Sequence, residues 1–300
     1  MFQTAVTIHE QGTVVAPSFF HLAVETPRVS VLTDEAEAEV VAFLSRRPLH
    51  TFNLLGFILD NGLVNPLNRG TFYAYRDEAG RLEGVALVGH VTLFEAHTAR
   101  AVAEFARIAR GCANKHILLG EQEKVALFWN HYSRGGQPAR LACRELLLES
   151  HGRTQASEEV RGLRRATMED LELVMPVQAQ LAFEESQINP LERDPVGFRA
   201  RCARRIEQGR TWVWIEDGRL IFKADILNET PEVTYLEGVW VNPQDRGRGQ
   251  GLRCMSQLSR TLLRRTRSIT LFVNENNQEA MDFYRTAGYE TRGCYDTIFF

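Results

Sequence analysis

The sequence predicts a mixed α/β fold built twice: a mixed sheet with helices on its faces, preceded by a divergent copy of the same order. Three observations predict it. From residue 160 onward, strand-like and helix-like apolar periods alternate in a regular order. A glycine-rich loop at residues 246–251 joins a strand to a helix. An aromatic hairpin starting at residue 71 returns in type at residue 211, each copy running from aromatic strand through an acidic-glycine turn to a return strand.

Taken in order, 162–166 is a short strand, and Thr167 with Asp170 resembles a capping box that opens a helix ending near 183. A second helix spans 194–208 and stops at Gly209. Strands at 212–215 and 220–226 flank the turn Asp217-Gly218. Residues 233–241 form a further strand that enters the glycine loop. A helix over 251–265 follows, with Leu252, Met255, Leu258 and Leu262 on one face. A strand at 269–273, a helix at 278–287 and a strand at 297–300 finish the chain. The first half shows helix-like segments at 35–44 and 48–59, the hairpin near 71–82, a strand at 116–119 and a helix at 125–132. A strand-like run at 144–148 precedes the polar stretch 151–159, which reads as a linker. Two domains are therefore expected, at 1–150 and 160–300.

Composition narrows the function. The 300 residues are 44% hydrophobic and 24% charged, with a formal net charge of -3. That balance provides no global field for nucleic acid or an anionic membrane. No apolar run reaches the roughly 18 to 20 residues of a membrane span, and residues 1–20 lack a basic segment before an apolar one. A cytoplasmic protein is expected, acting as a monomer or homodimer. The cysteines at 112, 143, 202, 254 and 294 form no C-x-x-C pair, which argues against a zinc site or a disulfide framework. All eight histidines precede the second domain, none at metal-pair spacing on an identified helix, so no metal is expected.

The loop Arg246-Gly247-Arg248-Gly249-Gln250-Gly251 carries the strongest chemical signal. Glycines permit positive φ and let a ligand approach the backbone. The helix start that follows offers unpaired N–H groups and the positive end of its dipole, which suits a diphosphate. Arg246 and Arg248 add charge at the rim. The run satisfies neither the Walker pattern nor the Rossmann fingerprint, and a single loop between regular elements is unlike an arginine-glycine RNA-binding tail.

At these residues the chain resembles the GNAT family of N-acetyltransferases. The family pattern [QR]-x-x-G-x-[GA] is met at 246–251, and N-x-x-A-x-x-x-Y-x-x-x-G-[FY] by Asn277, Ala280, Tyr284, Gly288 and Tyr289. The resemblance covers the second half and, more loosely, the whole chain, which looks like two-lobed bacterial members with a degenerate N-terminal lobe. It implies that acyl-CoA lies where the strand ending at 241 splays from that at 269–273. Val239, Trp240 and Val241 would pair with the pantetheine arm through backbone groups, one N–H polarising the thioester carbonyl. Trp240's side chain should itself pack in the core. The resemblance also makes Tyr284 the acid that protonates the thiolate, and gives Asn277 cofactor contact besides its helix cap.

The general base is not supplied by the resemblance. Some relatives carry a glutamate five residues before the motif asparagine, where this chain has Phe272. Glu237 is the candidate replacement, with a solvent-facing strand residue as the plain alternative. Glu184 and Glu185, read in a loop after the first helix, would attract a cationic amine or simply form a solvated turn. The stretch 94–100 of the first half has no glycine, so that lobe is not expected to bind CoA. The resulting expectation is direct transfer of an acyl group, acetyl foremost, from acetyl-CoA to a small-molecule or peptide amine. No cysteine or serine has an evident activating partner for a covalent route. A silent acyl-CoA sensor or scaffold is the alternative, and nucleic-acid binding is disfavoured.

Overall fold

The computed structural model describes residues 28–152 and 159–300. Residues 1–20, read above for a leader, lie outside the described residues, as do His9, His21 and most of the stretch 151–159.

The first half runs β1 (Val29–Val31), α1 (Glu37–Leu44), α2 (Pro48–Asn61), β2 (Gly70–Arg76), β3 (Leu82–Gly89), β4 (Val91–Ala96), α3 (Ala99–Gly111), β5 (Ile117–Glu121), α4 (Gln122–Tyr132) and β6 (Leu141–Ser150). The second runs β7 (Leu163–Arg165), α5 (Leu171–Ser186), α6 (Pro190–Arg193), α7 (Pro195–Glu207), β8 (Thr211–Glu216), β9 (Arg219–Glu229), β10 (Val233–Val241), α8 (Gln250–Leu262), β11 (Ser268–Asn274), α9 (Gln278–Thr286) and β12 (Glu290–Phe299). Apart from the one-turn α6, the two halves repeat the same order.

All these strands join one sheet in the order β1-β2-β3-β4-β5-β12-β6-β11-β10-β9-β8-β7. The last strand of each half is exchanged: β12 pairs with β5, and β6 pairs with β11. The two exchanged strands pair antiparallel with each other at the middle of the sheet. Alternation along β6 explains its place. Leu146 and Leu148 join the apolar cluster beneath α8 and α9, whereas Leu147 turns to the opposite face with Phe52, Tyr235 and Tyr295.

Local signals account for most boundaries. Asp217 and Gly218 have φ of 49° and 72°, as the tight hairpin requires. Thr167 and Asp170 form both bonds of the capping box, and the Asp194 carboxylate caps α7 at the Gly197 N–H, 2.9 Å away. Two expectations need correction. α5 continues to Ser186, where Gln187 turns left-handed (φ 57°) and its N–H reaches the Phe183 carbonyl at 2.7 Å. Glu184 and Glu185 are therefore in its last turn and not in a loop. β12 begins at Glu290 instead of 297, because its exposed polar start is held by backbone pairing to β6 and has no apolar pattern.

α2 ties the halves together. Asn53 accepts from the Asn228 amide at 2.6 Å, and Asp60 receives both Arg210 donors at 2.5 and 2.6 Å. Gly56 lets the helix approach, since a Cβ there would sit 2.6 Å from the Asn228 side chain.

In the first half, β4 and β5 pair in parallel only at Val91/Ile117 and Thr92/Leu118. Beyond that point ion pairs bridge them. Arg47 binds Glu95 at 2.9 Å and Glu121 at 2.7 Å, while Lys124 binds the same two carboxylates at 2.8 and 2.7 Å. Burial alone would raise the Glu121 carboxyl, but hydrogen bonds from Arg47 and Lys124 outweigh it and hold it at about 2. A depressed native pKa contributes stability that is complete above the ordinary carboxylate value and is lost as pH falls toward the native one. Glu121→Gln should therefore cost about 2 kcal/mol near neutrality. The gap in melting temperature from wild type should narrow as pH drops below 4.5 toward 2.

Candidate active site

β10 and β11 pair in parallel at Val233/Ser268, Thr234/Ile269 and Tyr235/Thr270. Beyond these residues both strands continue, but they no longer pair with each other. β11 remains bonded to β6 as far as Asn274, and β10 to β9 as far as Val241. The unpaired edges thus face one another across an opening. On its other edge β10 carries a bulge: Glu237 pairs with Asp225 and Trp240 with Lys223, which leaves Gly238 and Val239 opposite one residue. Gly238 has φ 59°, and a Cβ there would lie 2.9 Å from the Lys223 Nζ. The bulge keeps Glu237 and Trp240 on one face. Trp240 packs with the α5–α7 cluster, while Val239 and Val241 pack with the α8–α9 cluster.

The glycine loop lies at the head of α8. Asn242 ends the strand by donating to the Leu220 carbonyl at 3.0 Å and accepting from the Gln244 N–H at 3.1 Å. Gly247 and Gly249 have φ of 72° and 73°, and a Cβ on either would meet nothing within 4 Å. Their outward space is open to a ligand. Gly251 differs: a Cβ there would meet Val241 at 2.8 Å and Phe283 at 3.2 Å, so its bareness seats the helix head against β10 and α9. Arg246 donates to the Val241 carbonyl at 3.3 Å, and Arg248 lies exposed with Asp245 3.5 Å away. The Gln250 Oε1 is buried without a hydrogen-bond partner among the described residues.

α9 borders the same face. Asn277 caps it, accepting from the Ala280 N–H at 3.0 Å. Tyr284 is 9% exposed and stacks edge-on against Phe283 and Tyr289, with centroids 5.2 and 5.6 Å away. Burial pushes its phenol well above the usual value, so it stays protonated at neutral pH. Cys254 lies deep under α8, and burial pushes its thiol up to about 12, which makes it a poor nucleophile.

The opposite face presents charge. Glu237 is 3.9 Å from Arg205, which also binds Asp225 at 2.9 Å. Lys223, fully buried, binds Asp225 at 2.6 Å and Gln178 at 2.7 Å and donates to the Gly238 carbonyl at 3.3 Å. Burial would raise the Asp225 carboxyl, but Lys223 and Arg205 reverse that and keep it below its ordinary range. Glu185, exposed in the last turn of α5, lies within electrostatic reach of Glu237 and Glu145. Glu184 points along the exposed side, bonded to Gln180 at 2.8 Å, and is not brought to the cluster. Phe272 stands in an aromatic group with Tyr235, Phe52 and Tyr295, at 5.6, 6.0 and 4.8 Å.

Sequence reasoning overlooked Glu145, Tyr235 and the Lys223–Asp225–Arg205 network. The last had a signal, a lysine and an aspartate two apart inside the apolar strand LIFKADIL. An open cavity of about 670 Å³ between α5 and α6 includes Phe183, Gln187 and Arg193 but neither Glu237 nor Tyr284. Among the described residues no group of three His, Cys, Asp or Glu side chains is placed to hold a metal, and no helix is long and apolar enough to cross a membrane.

Residues 177–289 match the acetyltransferase (GNAT) family. No curated protein matches the chain. Among solved structures, 91% of the chain superposes on 98% of a Drosophila protein, at 15% identity and a TM-score of 0.65. It similarly covers 98% of a tandem GNAT protein from the clavulanic acid biosynthesis pathway, with 90% of this chain aligned at 13% identity and a TM-score of 0.58. An acetyltransferase of the GNAT family from Colwellia psychrerythraea is covered to 99%, over 91% of this chain, at 11% identity and a TM-score of 0.57. At such identities the likeness is one of fold. The family match thus lies in the second half of the chain, and the fold along nine-tenths of its length is similar to that of a tandem GNAT protein.

Proposed function

We propose that this protein is an N-acyltransferase that moves an acetyl group from acetyl-CoA directly to an amine. The observation that supports this most is the meeting of three features at one opening: the parted strands β10 and β11, the glycine loop and the buried phenol of Tyr284. The residues present fit coenzyme A. N–H groups of 247–251 would hold its diphosphate, with the open sides of Gly247 and Gly249 giving access and Arg246 and Arg248 adding charge. Backbone groups of Val239, Trp240 and Val241 would bind the pantetheine arm as an added strand, with one N–H on the developing oxyanion. Asn277 would add a contact at the head of α9.

Glu237 and Tyr284 flank the opening from opposite faces of the sheet. Glu237 would take the proton the attacking amine loses. Tyr284 would hand a proton to sulfur as the carbon–nitrogen bond replaces the carbon–sulfur bond. Of the two glutamates on α5 assigned to the acceptor, Glu185 lies within electrostatic reach of Glu237, whereas Glu184 points away along the exposed side, bonded to Gln180. Residues 160–300 would form the catalytic lobe. Residues 1–150 would form a lobe without CoA, a reading supported by the ion pairs bridging β4 and β5 and by the absence of glycine from 94–100.

Thiol release from acetyl-CoA with a panel of amines tests the proposal. Tyr284→Phe should lower kcat by about 100-fold while leaving the acetyl-CoA KM within a few-fold. An unchanged rate would remove Tyr284 from the chemistry. Gly249→Ala forces an L-residue into the left-handed region at a cost of roughly 1 kcal/mol and places a methyl group where the diphosphate would lie. It should raise the acetyl-CoA KM at least about fivefold. Binding of acetyl-CoA with no turnover on any amine would favour a sensor instead.

A further inference from the structure

We propose that Lys223 is a positioning residue of the transfer reaction: it grips the Gly238 carbonyl and so turns the Val239 N–H into the opening, where that N–H meets the developing oxyanion. The proposal rests on the acyltransferase reading above and gives a role to a side chain that touches neither acetyl-CoA nor the amine.

Three hydrogen bonds place the ammonium group. Lys223 is fully buried, and its three donors find three acceptors: the Asp225 carboxylate at 2.6 Å, the Gln178 side-chain carbonyl at 2.7 Å and the Gly238 backbone carbonyl at 3.3 Å. Asp225 is held in turn by Arg205 at 2.9 Å. Gln178 belongs to α5 and Arg205 to α7, so the Gly238 carbonyl is drawn toward the face those helices cover. No cis peptide occurs among the described residues, and in a trans peptide the carbonyl and the N–H point in opposite directions. The Val239 N–H therefore points away from Lys223, toward the side of the sheet where Val239 packs with the cluster that holds Tyr284.

The bulge in β10 is built around this bond. Glu237 pairs with Asp225 and Trp240 with Lys223, so Gly238 and Val239 are the two residues released from the regular register. A peptide outside the ladder needs another anchor, and Lys223 supplies it. Gly238 has φ 59°, and a Cβ there would lie 2.9 Å from the Lys223 Nζ and 3.0 Å from the Gln178 Oε1. Glycine thus leaves the carbonyl open to the lysine.

Energetics separate this role from plain packing. A buried ion pair is costly to desolvate, and apolar residues of similar volume are commonly as stabilising. A cation on a peptide carbonyl, however, polarises the whole amide and makes its N–H a stronger donor. At 3.3 Å the bond from Lys223 has room to shorten. As negative charge collects on the thioester oxygen, the 238–239 amide polarises further and that bond strengthens. The transition state then gains more than the bound thioester does.

Acetyl transfer by the full chain, with infrared spectra of bound acetyl-CoA isotope-labelled at its acetyl carbonyl, tests this. Lys223→Met, similar in length and without donors, should lower kcat at least about tenfold and change the acetyl-CoA KM by less than about threefold. The bound thioester carbonyl should absorb at higher frequency in that variant than in wild type, because a weaker donor meets it. Should Asp225 without its lysine prevent folding, Lys223→Met/Asp225→Leu removes both charges, and the carbonyl frequency is then the deciding readout. Lower stability with kcat and carbonyl frequency unchanged, or a raised KM alone, overturns the proposal and leaves Lys223 a packing residue. The same data separate the two readings. If amines are acetylated and neither readout depends on Lys223, only the positioning role falls. If acetyl-CoA binds and no amine is acetylated, yet the carbonyl frequency still depends on Lys223, the positioning role stands and the acyltransferase reading falls.

Discussion

β10 and β11 share three paired residues and then part, and the backbone groups left unmet along β10 shape everything around them. Buried backbone groups without partners are costly, so such an edge persists only where water or an extended ligand meets it. The parting is supported from below. Lys223 is drawn beneath the bulge by Asp225, Gln178 and the Gly238 carbonyl, and Gly238 leaves it room. On the other face Gly251 brings the head of α8 against Val241. The opening is thus framed by a buried ion network on one side and a close helix contact on the other.

The reciprocal exchange of β6 and β12 makes the two halves interdependent. β6 gives β11 its second hydrogen-bonding edge, without which β11 would leave the sheet as β10 diverges. The same exchange carries Glu145, a residue of the first half, to the face that holds Glu237, and carries Tyr295 to His50 of α2, 2.8 Å away. Divergence between the halves is electrostatic as much as steric. One parting is bridged by Arg47 and Lys124; at the other, Glu237 lies 3.9 Å from Arg205 and no such bridge joins β10 to β11 among the described residues. This difference underlies the proposed assignment of chemistry to the second half alone.

Features that depend on local backbone chemistry were legible in the sequence. The loop at 246–251 announces itself by glycines at positive φ, the cap of α9 by Asn277, and the hairpin by Asp217-Gly218. The bounds of β10 were read correctly because β-branched and aromatic residues fill most of it and Asn242-Pro243 stops it. What depends on pairing across the chain was not legible. Gly238 looks like an ordinary strand residue until its register against β9 is known. Glu145 lies far from Glu237 in sequence and reaches it only through strand exchange. Glu185 was assigned to a loop because nothing in the sequence marks Gln187, a non-glycine, as the left-handed stop of α5.

The central claim is that free N–H groups from 246 to 251 grip the two linked phosphates of coenzyme A. Isothermal titration of the full chain with coenzyme A and, separately, with pantetheine, which shares the thiol arm but lacks the diphosphate, tests it most directly. The account expects saturable binding of coenzyme A and at least about a hundredfold weaker binding of pantetheine. Equal affinity for the two, or no binding of coenzyme A, would contradict it.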